Sequence, residues 1–174
     1  VNRHLLSDVP VGCFLSGGID SSLVAAVAHG SLADLPAFTL GFEVPEYDET
    51  AAASAVARHL GLSAHHRKIL TEADALAEIE DLAGKVDEPF AVPSVLPTAS
   101  VSALASQQMK VALSGDGGDE LFMGYGYYNW YARLQKLSRW GGRLGRQAAG
   151  MLLRFGGARE QRASRLFSGP DPLQ

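Results

Sequence analysis

Two short stretches carry the residue types from which phosphate chemistry is built. Ser16-Gly17-Gly18-Ile19-Asp20-Ser21-Ser22 places glycines, hydroxyls and one carboxylate where an apolar run gives way to a helical pattern. Backbone amides of a glycine turn and of the helix N-terminus behind it converge there, and that convergence binds an anion. Glycine lets the backbone approach without a Cβ clash, serine adds donors, and the helix dipole favours negative charge. Asp20 suits such a site only with a divalent cation between its carboxylate and the phosphate. Magnesium fills that role, because it takes one or two carboxylates together with phosphate oxygens and water. The stretch has neither the Gly-Lys-Ser/Thr of the P-loop nor the G-x-G-x-x-G dinucleotide fingerprint, so a different nucleotide chemistry is implied. The second stretch, Ser114-Gly115-Asp116-Gly117-Gly118-Asp119-Glu120, also follows an apolar run and is also glycine-rich and acidic.

The elements around these stretches must bring them together. Residues 11–15 form an apolar run that predicts a buried strand; residues 20–30 then predict a helix capped by Asp20 or Ser21 and stopped at Gly30. Residues 37–42 predict a second strand, 51–60 a helix ended by Gly61, and 65–70 a third strand. Thr71 is placed as the N-cap of the next helix. Pro89, Pro93 and Pro97 mark a loop before a helix over 99–108, and 110–113 predict a fourth strand. Strand and helix alternate throughout. The expectation is an α/β fold, a parallel twisted sheet of four or five strands with helices on both faces, joined by right-handed crossovers. Both glycine loops then leave the same carboxyl edge of the sheet, where such folds gather ligands. From Trp130 the pattern turns helical, interrupted at Gly141-Gly142 and Gly156-Gly157 and ending in a turn over 168–172.

Composition sets the outer bounds. A chain of 174 residues that is 47% apolar suits one globular domain with a real core. No run of eighteen apolar residues and no secretory signal pattern occurs, so the expectation is a cytoplasmic protein that does not engage a membrane. Cys13 is the one cysteine and lies in an apolar run, which makes it a buried strand residue. The net charge of −4 conceals a basic end running from Arg133 to Arg165, read as a solvated helical face with no nucleic-acid partner. His65 and His66 adjoin on a strand, point to opposite faces and cannot share a metal. Tyr125, Tyr127, Tyr128, Trp130 and Tyr131 read as helix packing, with Tyr125 able to border a pocket.

Ser-Gly-Gly-Ile-Asp-Ser-Ser resembles the pyrophosphate-binding loop of the PP-loop ATP pyrophosphatases, whose sheet is of the adenine nucleotide alpha hydrolase-like, Rossmann-like kind. Residues 114–125 resemble the second signature of the asparagine synthetases within that group. Ser7-Asp8-Val9-Pro10, Tyr47-Asp48-Glu49 and Asp87-Glu88-Pro89-Phe90 agree with the same family. The resemblance covers residues 1–130, the expected ATP-pyrophosphatase domain, and leaves 131–174 as a basic helical extension. It implies that Ser16, Gly17, Gly18, Asp20 and Ser21 hold the pyrophosphate part of ATP, with Asp20 and Asp119 as ligands of Mg2+. It places adenosine against Phe14, Leu15, Leu40, Ser114 and Gly115, although plain sheet core accounts almost equally well for Leu15 and Leu40.

The implied reaction adenylates the side-chain carboxylate of aspartate, releases pyrophosphate, and lets ammonia displace AMP to give asparagine. Asp116 stands where relatives often carry a glutamate thought to manage a proton near the substrate. Aspartate keeps the carboxylate but shortens its reach by roughly 1.5 Å. The resemblance further implies a glutaminase domain supplying ammonia and a lysine from a later helical region, both expected outside these residues, and it admits a homodimer. Such a chain is expected to bind Mg-ATP yet turn it over poorly alone. Three competing readings are a related amidotransferase or β-lactam synthetase-like ligase on another carboxylate, a non-catalytic nucleotide-binding remnant, and a thiolating RNA-modifying relative. The last lacks the expected cysteines.

Overall fold

The computed structural model describes residues 1–88, 92–128 and 151. Four strands, β1 (Val11–Phe14), β2 (Ala37–Phe42), β3 (His65–Leu70) and β4 (Val111–Leu113), alternate with helices α1 (Ile19–His29), α2 (Thr50–Leu60), α3 (Glu72–Ala83) and α4 (Val95–Ser106), and a short α5 (Gly118–Phe122) follows. All strands pair in parallel in the order β3-β2-β1-β4. The chain builds outward from β1 through β2 to β3, then returns to lay β4 on the free side of β1. The order therefore reverses between β1 and β4, and the crevice outside their carboxyl ends is the place where open α/β sheets take ligands. Backbone packing divides the chain into two compact units, Val1–Gly117 and Gly118–Gln174, with the sheet and α1–α4 in the first.

Register explains how both faces are covered. Cys13 pairs with Ala37, and Ala37 pairs with His65, so these residues share one face. There Cys13, Leu15, Leu35 and Ala37 pack with Ala25 and Ala28 of α1 and Ala53 and Ala57 of α2. Alanine at each of these helix positions lets backbones come close, which matters for the first loop. On the other face Phe14 pairs with Phe38, and Phe38 with His66. The Phe38 and His66 rings stack at 5.1 Å with an 18° tilt. Glycine is required at Gly12, whose Cβ would sit 2.8 Å from Phe38 Cε2. This second layer, under α3 and α4, has a polar seam: Lys68 Nζ lies 2.9 Å from Glu78 Oε1, and the buried Ser100 hydroxyl donates to Glu78 Oε2.

Several local expectations need correction. α1 begins at Ile19 with Gly18 as its N-cap and no side-chain cap bond, so neither Asp20 nor Ser21 caps it. Asp20 lies inside the first turn, where an acid is favoured by the dipole without capping. α4 starts at Val95, four residues earlier than expected. Pro97 falls in its first turn, where a missing N–H interrupts no helical bond. α5 occupies part of the expected second loop, and a short 3-10 turn at Asn2–Leu5 was not foreseen. Thr71 does cap α3, through a box in which its hydroxyl accepts from Asp74 N while the Asp74 carboxylate accepts from Thr71 N. The helices expected from Trp130 onward, and the turn over 168–172, lie outside the described residues except Met151.

Candidate functional site

The first loop is held by its own hydrogen bonds. Ser16 Oγ and Ser21 Oγ are 2.9 Å apart, and Ser21 Oγ also accepts from Ser16 N at 3.2 Å. Gly18 N donates to Ser16 Oγ at 3.2 Å, and Ser21 Oγ reaches Gly18 O at 3.3 Å. Ser21 is buried while Ser16 and Gly18 are exposed, so Ser21 acts as the post to which the exposed part is tied. Gly17 has φ +85°, and its Cβ would lie 2.6 Å from Ala53 N and 2.7 Å from the Ala52 carbonyl carbon. Only glycine fits there, on account of both conformation and space. The loop thus lies directly on the backbone of α2, an approach that the small residues Ala52 and Ala53 permit.

Beyond the loop, α1 presents its N-terminus. The amides of residues 19–21 have no carbonyl four residues back within the helix, so they are donors available to an anion. Asp20 is half-buried, and the Ser22 hydroxyl in the same turn is buried without a partner among the described residues.

The second loop leaves β4 beside the first, because β4 pairs with β1 at Cys13–Leu113. A Cβ at Gly115 would meet Ser21 N at 2.7 Å and the Asp20 carbonyl carbon at 3.1 Å. The two loops therefore touch at the first turn of α1. Ser114 Oγ donates to Asp116 Oδ2 at 3.0 Å and accepts from Asp116 N at 3.3 Å, leaving the Asp116 carboxylate exposed at the rim. Gly117 carries φ +86° where the loop turns away.

In the second unit, Gly124 closes over Asp119. Gly124 N donates to Asp119 O at 2.9 Å, and a Cβ at Gly124 would collide with the Asp119 carboxylate. Met123, at φ +58°, makes the left-handed turn that brings this about. Tyr125 donates to Glu120 Oε1 at 2.7 Å, and that bond pushes the phenol up to about 12. Tyr125 also stacks on Tyr127 at 5.3 Å; Trp130 and Tyr131 lie outside the described residues.

Phe14 stands half-buried at the carboxyl end of β1, and Leu40 stands half-buried within β2, two residues before its end at Phe42. Leu15 is 2% exposed, sits in the α1/α2 core, and has its amide bonded to Phe38 O at 2.9 Å. Its side chain is core. Cys13 is fully buried, and burial pushes its thiol up to about 12. His65 and His66 do point to opposite faces: His65 Nε2 reaches Thr39 Oγ1 at 2.8 Å, and His66 stacks on Phe38. Among the described residues no group of three or more His, Cys, Asp or Glu could cage a metal, and no helix is long and apolar enough to cross a membrane. Asp20, half-buried in the first turn of α1, suits Mg2+, which binds through one or two carboxylates and completes its shell with phosphate and water.

Two residues here have structural roles that sequence reasoning did not assign, although it includes Asp48 within Tyr47-Asp48-Glu49. Asp48 accepts from Thr50 N at 3.2 Å, Thr50 Oγ1 at 2.8 Å and Phe42 N at 3.4 Å, which ties the end of β2 to the start of α2. The Thr50 hydroxyl above all holds its carboxyl below the usual range. Its place two residues before a helical pattern was the available signal. Thr39 had no such signal, since its hydroxyl's partners come from β3 and from the residue that follows β1, both far away in the chain.

A family model described as Asparagine synthase matches residues 1–169, and the chain belongs to that family. It is 41% identical over 128 residues to asparagine synthetase [glutamine-hydrolyzing] 1 of Bacillus subtilis (strain 168), covering 74% of this chain and 20% of that protein. It is 43% identical over 127 residues to putative asparagine synthetase [glutamine-hydrolyzing] 2 of Methanocaldococcus jannaschii, covering 72% and 24%. Against asparagine synthetase B [glutamine-hydrolyzing] of Escherichia coli (strain K12) the identity is 32% over 149 residues, covering 74% and 26%. The chain thus spans about a fifth to a quarter of the length of these relatives. Among solved structures it is similar to the NH3-dependent NAD synthetase of Campylobacter jejuni at 19% identity and a TM-score of 0.46, covering 72% of this chain and 55% of that one. That likeness is too weak to support a functional conclusion.

Proposed function

We propose that the Ser16 and Ser114 loops form the ATP cleft of an amide-forming ligase that adenylates a carboxylate and releases pyrophosphate. The observation that carries this reading is the approach of Gly115 to the Asp20–Ser21 backbone, which joins two glycine loops at the reversal of strand order. Family membership supports the reaction class.

In this reading the α1 N-terminal amides, Ser16, Gly17, Gly18 and Ser21 hold the pyrophosphate part of ATP. Their pre-set geometry stabilises the charge that develops as it leaves. Adenosine lies along Phe14 and Leu40, with Ser114 and Gly115 bordering it, while Leu15 supports the strand end from the core. Asp20 would hold Mg2+, which when bound would neutralise phosphate charge. Asp116, aimed by Ser114, takes or gives a proton near the acceptor. The acceptor is the side-chain carboxylate of aspartate, and ammonia gives the amide. Relatives named glutamine-hydrolysing suggest a glutaminase domain as the ammonia source, and we place the reaction in the cytoplasm. A second reading, a ligase for another carboxylate, is favoured by the shorter reach of Asp116.

Phosphorus NMR for the nucleotides and proton NMR for the amino acids, on the protein carrying these residues given Mg-ATP, aspartate and ammonium, test the proposal. AMP, pyrophosphate and asparagine in equal amounts are expected. ADP with inorganic phosphate would contradict adenylation, and AMP formation that requires a different carboxylate would select the second reading.

A further inference from the structure

The peptide group between Leu15 and Ser16 is gripped from both sides at the point where β1 becomes the first loop. Its N–H donates to Ser21 Oγ at 3.2 Å. Its carbonyl accepts from Thr39 Oγ1 at 2.5 Å, a bond across to β2 that lies buried. Backbone pairing of β1 with β2 is in register as far as Phe14–Phe38. One residue further on, just past the end of β1, the Thr39 side chain supplies the donor to the Leu15 carbonyl. Thr39 is 1% exposed, so its hydroxyl has no water to turn to.

That hydroxyl has a second partner, His65 Nε2 of β3, at 2.8 Å. A hydroxyl carries a single proton. With that proton donated to Leu15 O, Thr39 must accept from His65, which fixes the N–H of the imidazole on Nε2. The imidazole thereby dictates which way the hydroxyl proton points. A continuous chain of donors runs from His65 on β3 through Thr39 on β2 to Leu15 O, one residue past the end of β1.

We propose that Thr39 and His65 are positioning residues for the nucleotide loop: His65 orients the Thr39 hydroxyl, and Thr39 fixes the plane of the Leu15–Ser16 peptide. The inference rests on the reading of residues 16–22 as the nucleotide loop. Neither residue touches the nucleotide in this account. Rotation of that peptide would turn Ser16 N away from Ser21 and loosen Ser16 Oγ, on which Gly18 N also depends.

The test compares Thr39→Val, Thr39→Ser, His65→Leu and His65→Gln with the parent chain. Mg-ATP binding is measured by calorimetry, and the Ser16 amide resonance is followed by nitrogen-15 NMR without nucleotide. Thr39→Val should weaken Mg-ATP binding by about tenfold and shift the Ser16 amide, as expected for loss of one buried hydrogen bond. Thr39→Ser, which keeps the hydroxyl, should return both to near the parent values. His65→Leu should weaken binding by about threefold, and His65→Gln, whose amide nitrogen can stand in for Nε2, should restore it.

Parent-like binding and an unmoved Ser16 resonance in Thr39→Val would overturn the proposal. So would equal losses in the valine and serine variants. If Thr39→Val does not fold, the two His65 variants decide: equal binding in both would refute it. Failure of the parent chain to bind Mg-ATP would instead refute the reading of the loop as a nucleotide site. The Ser16 resonance would then still settle the clamp, by shifting with Thr39→Val and returning with Thr39→Ser.

Discussion

The two glycine loops lie side by side at one sheet edge and are built in different ways. The Ser16 loop is tied by bonds among Ser16, Gly18 and Ser21, anchored on a buried hydroxyl and laid against α2. The Ser114 loop up to Gly117 has one Ser114–Asp116 pair, and its fixed point is the contact of Gly115 with α1. One is rigid by its own construction and the other by leaning on its neighbour. The difference fits a division of labour in which the first loop presents fixed donors while the second carries an exposed carboxylate to the rim.

The largest effect should come from Gly17→Ala. Positive φ and collision with the Ala52–Ala53 backbone act together, and a loss of about 3 kcal/mol is expected in urea unfolding. Gly115→Ala has no positive φ to add, so about 2 kcal/mol is expected, with Mg-ATP binding falling more than the lost stability accounts for. If Gly115→Ala proved as costly as Gly17→Ala, the second loop would not be the dependent one. Ser21→Ala should cost about 1.5 kcal/mol because it strands Ser16 N and leaves Ser16 Oγ without its post.

Glu78 provides a control away from both loops. Burial raises its carboxyl, but hydrogen bonds from Ser100 and Lys68 outweigh that and hold it below its usual range. A carboxylate lowered on folding stabilises the protein above its unfolded value, and the contribution is lost as pH falls through the folded one. Stability should therefore decline below about pH 4.5, and Glu78→Gln should flatten that part of the curve. An unchanged slope in the variant would remove Glu78 as its source. The smallest effect is expected of Asp116→Asn, under about 0.5 kcal/mol in stability, because the side chain is exposed and bonded only locally. A larger loss would mean that the second loop relies on Asp116 as the first does on Ser21.

Much of this arrangement was legible in the sequence because it rests on local patterns. The apolar run 37–42 gave β2 its observed bounds, the expected strand over 65–70 matches β3, and Thr71 with Asp74 marked the start of α3. That both loops leave one carboxyl edge followed from alternation of strand and helix. The pairing of β1 with β4 that makes them neighbours is a matter of strand order, which alternation does not fix. Pro97 misled because proline breaks a helix interior but is welcome in a first turn, and a sequence does not reveal which it occupies. Asp20 misled in a similar way, being an acid that suits a cap and a first turn equally. The approach of Gly115 to α1, and the Thr39 bridge between strands, depend on residues far apart in the chain. No spacing rule announces them.

The central claim is that both loops enclose one nucleotide, and amide chemical-shift mapping with Mg-ATP tests it most directly. Gly17, Gly18, Ser21, Gly115 and Gly117 are expected to shift together along one saturation curve, while Gly61 and Gly84, distant at helix ends, stay still. Shifts confined to the first loop, or a curve for Gly115 and Gly117 with a different midpoint, would contradict a shared site.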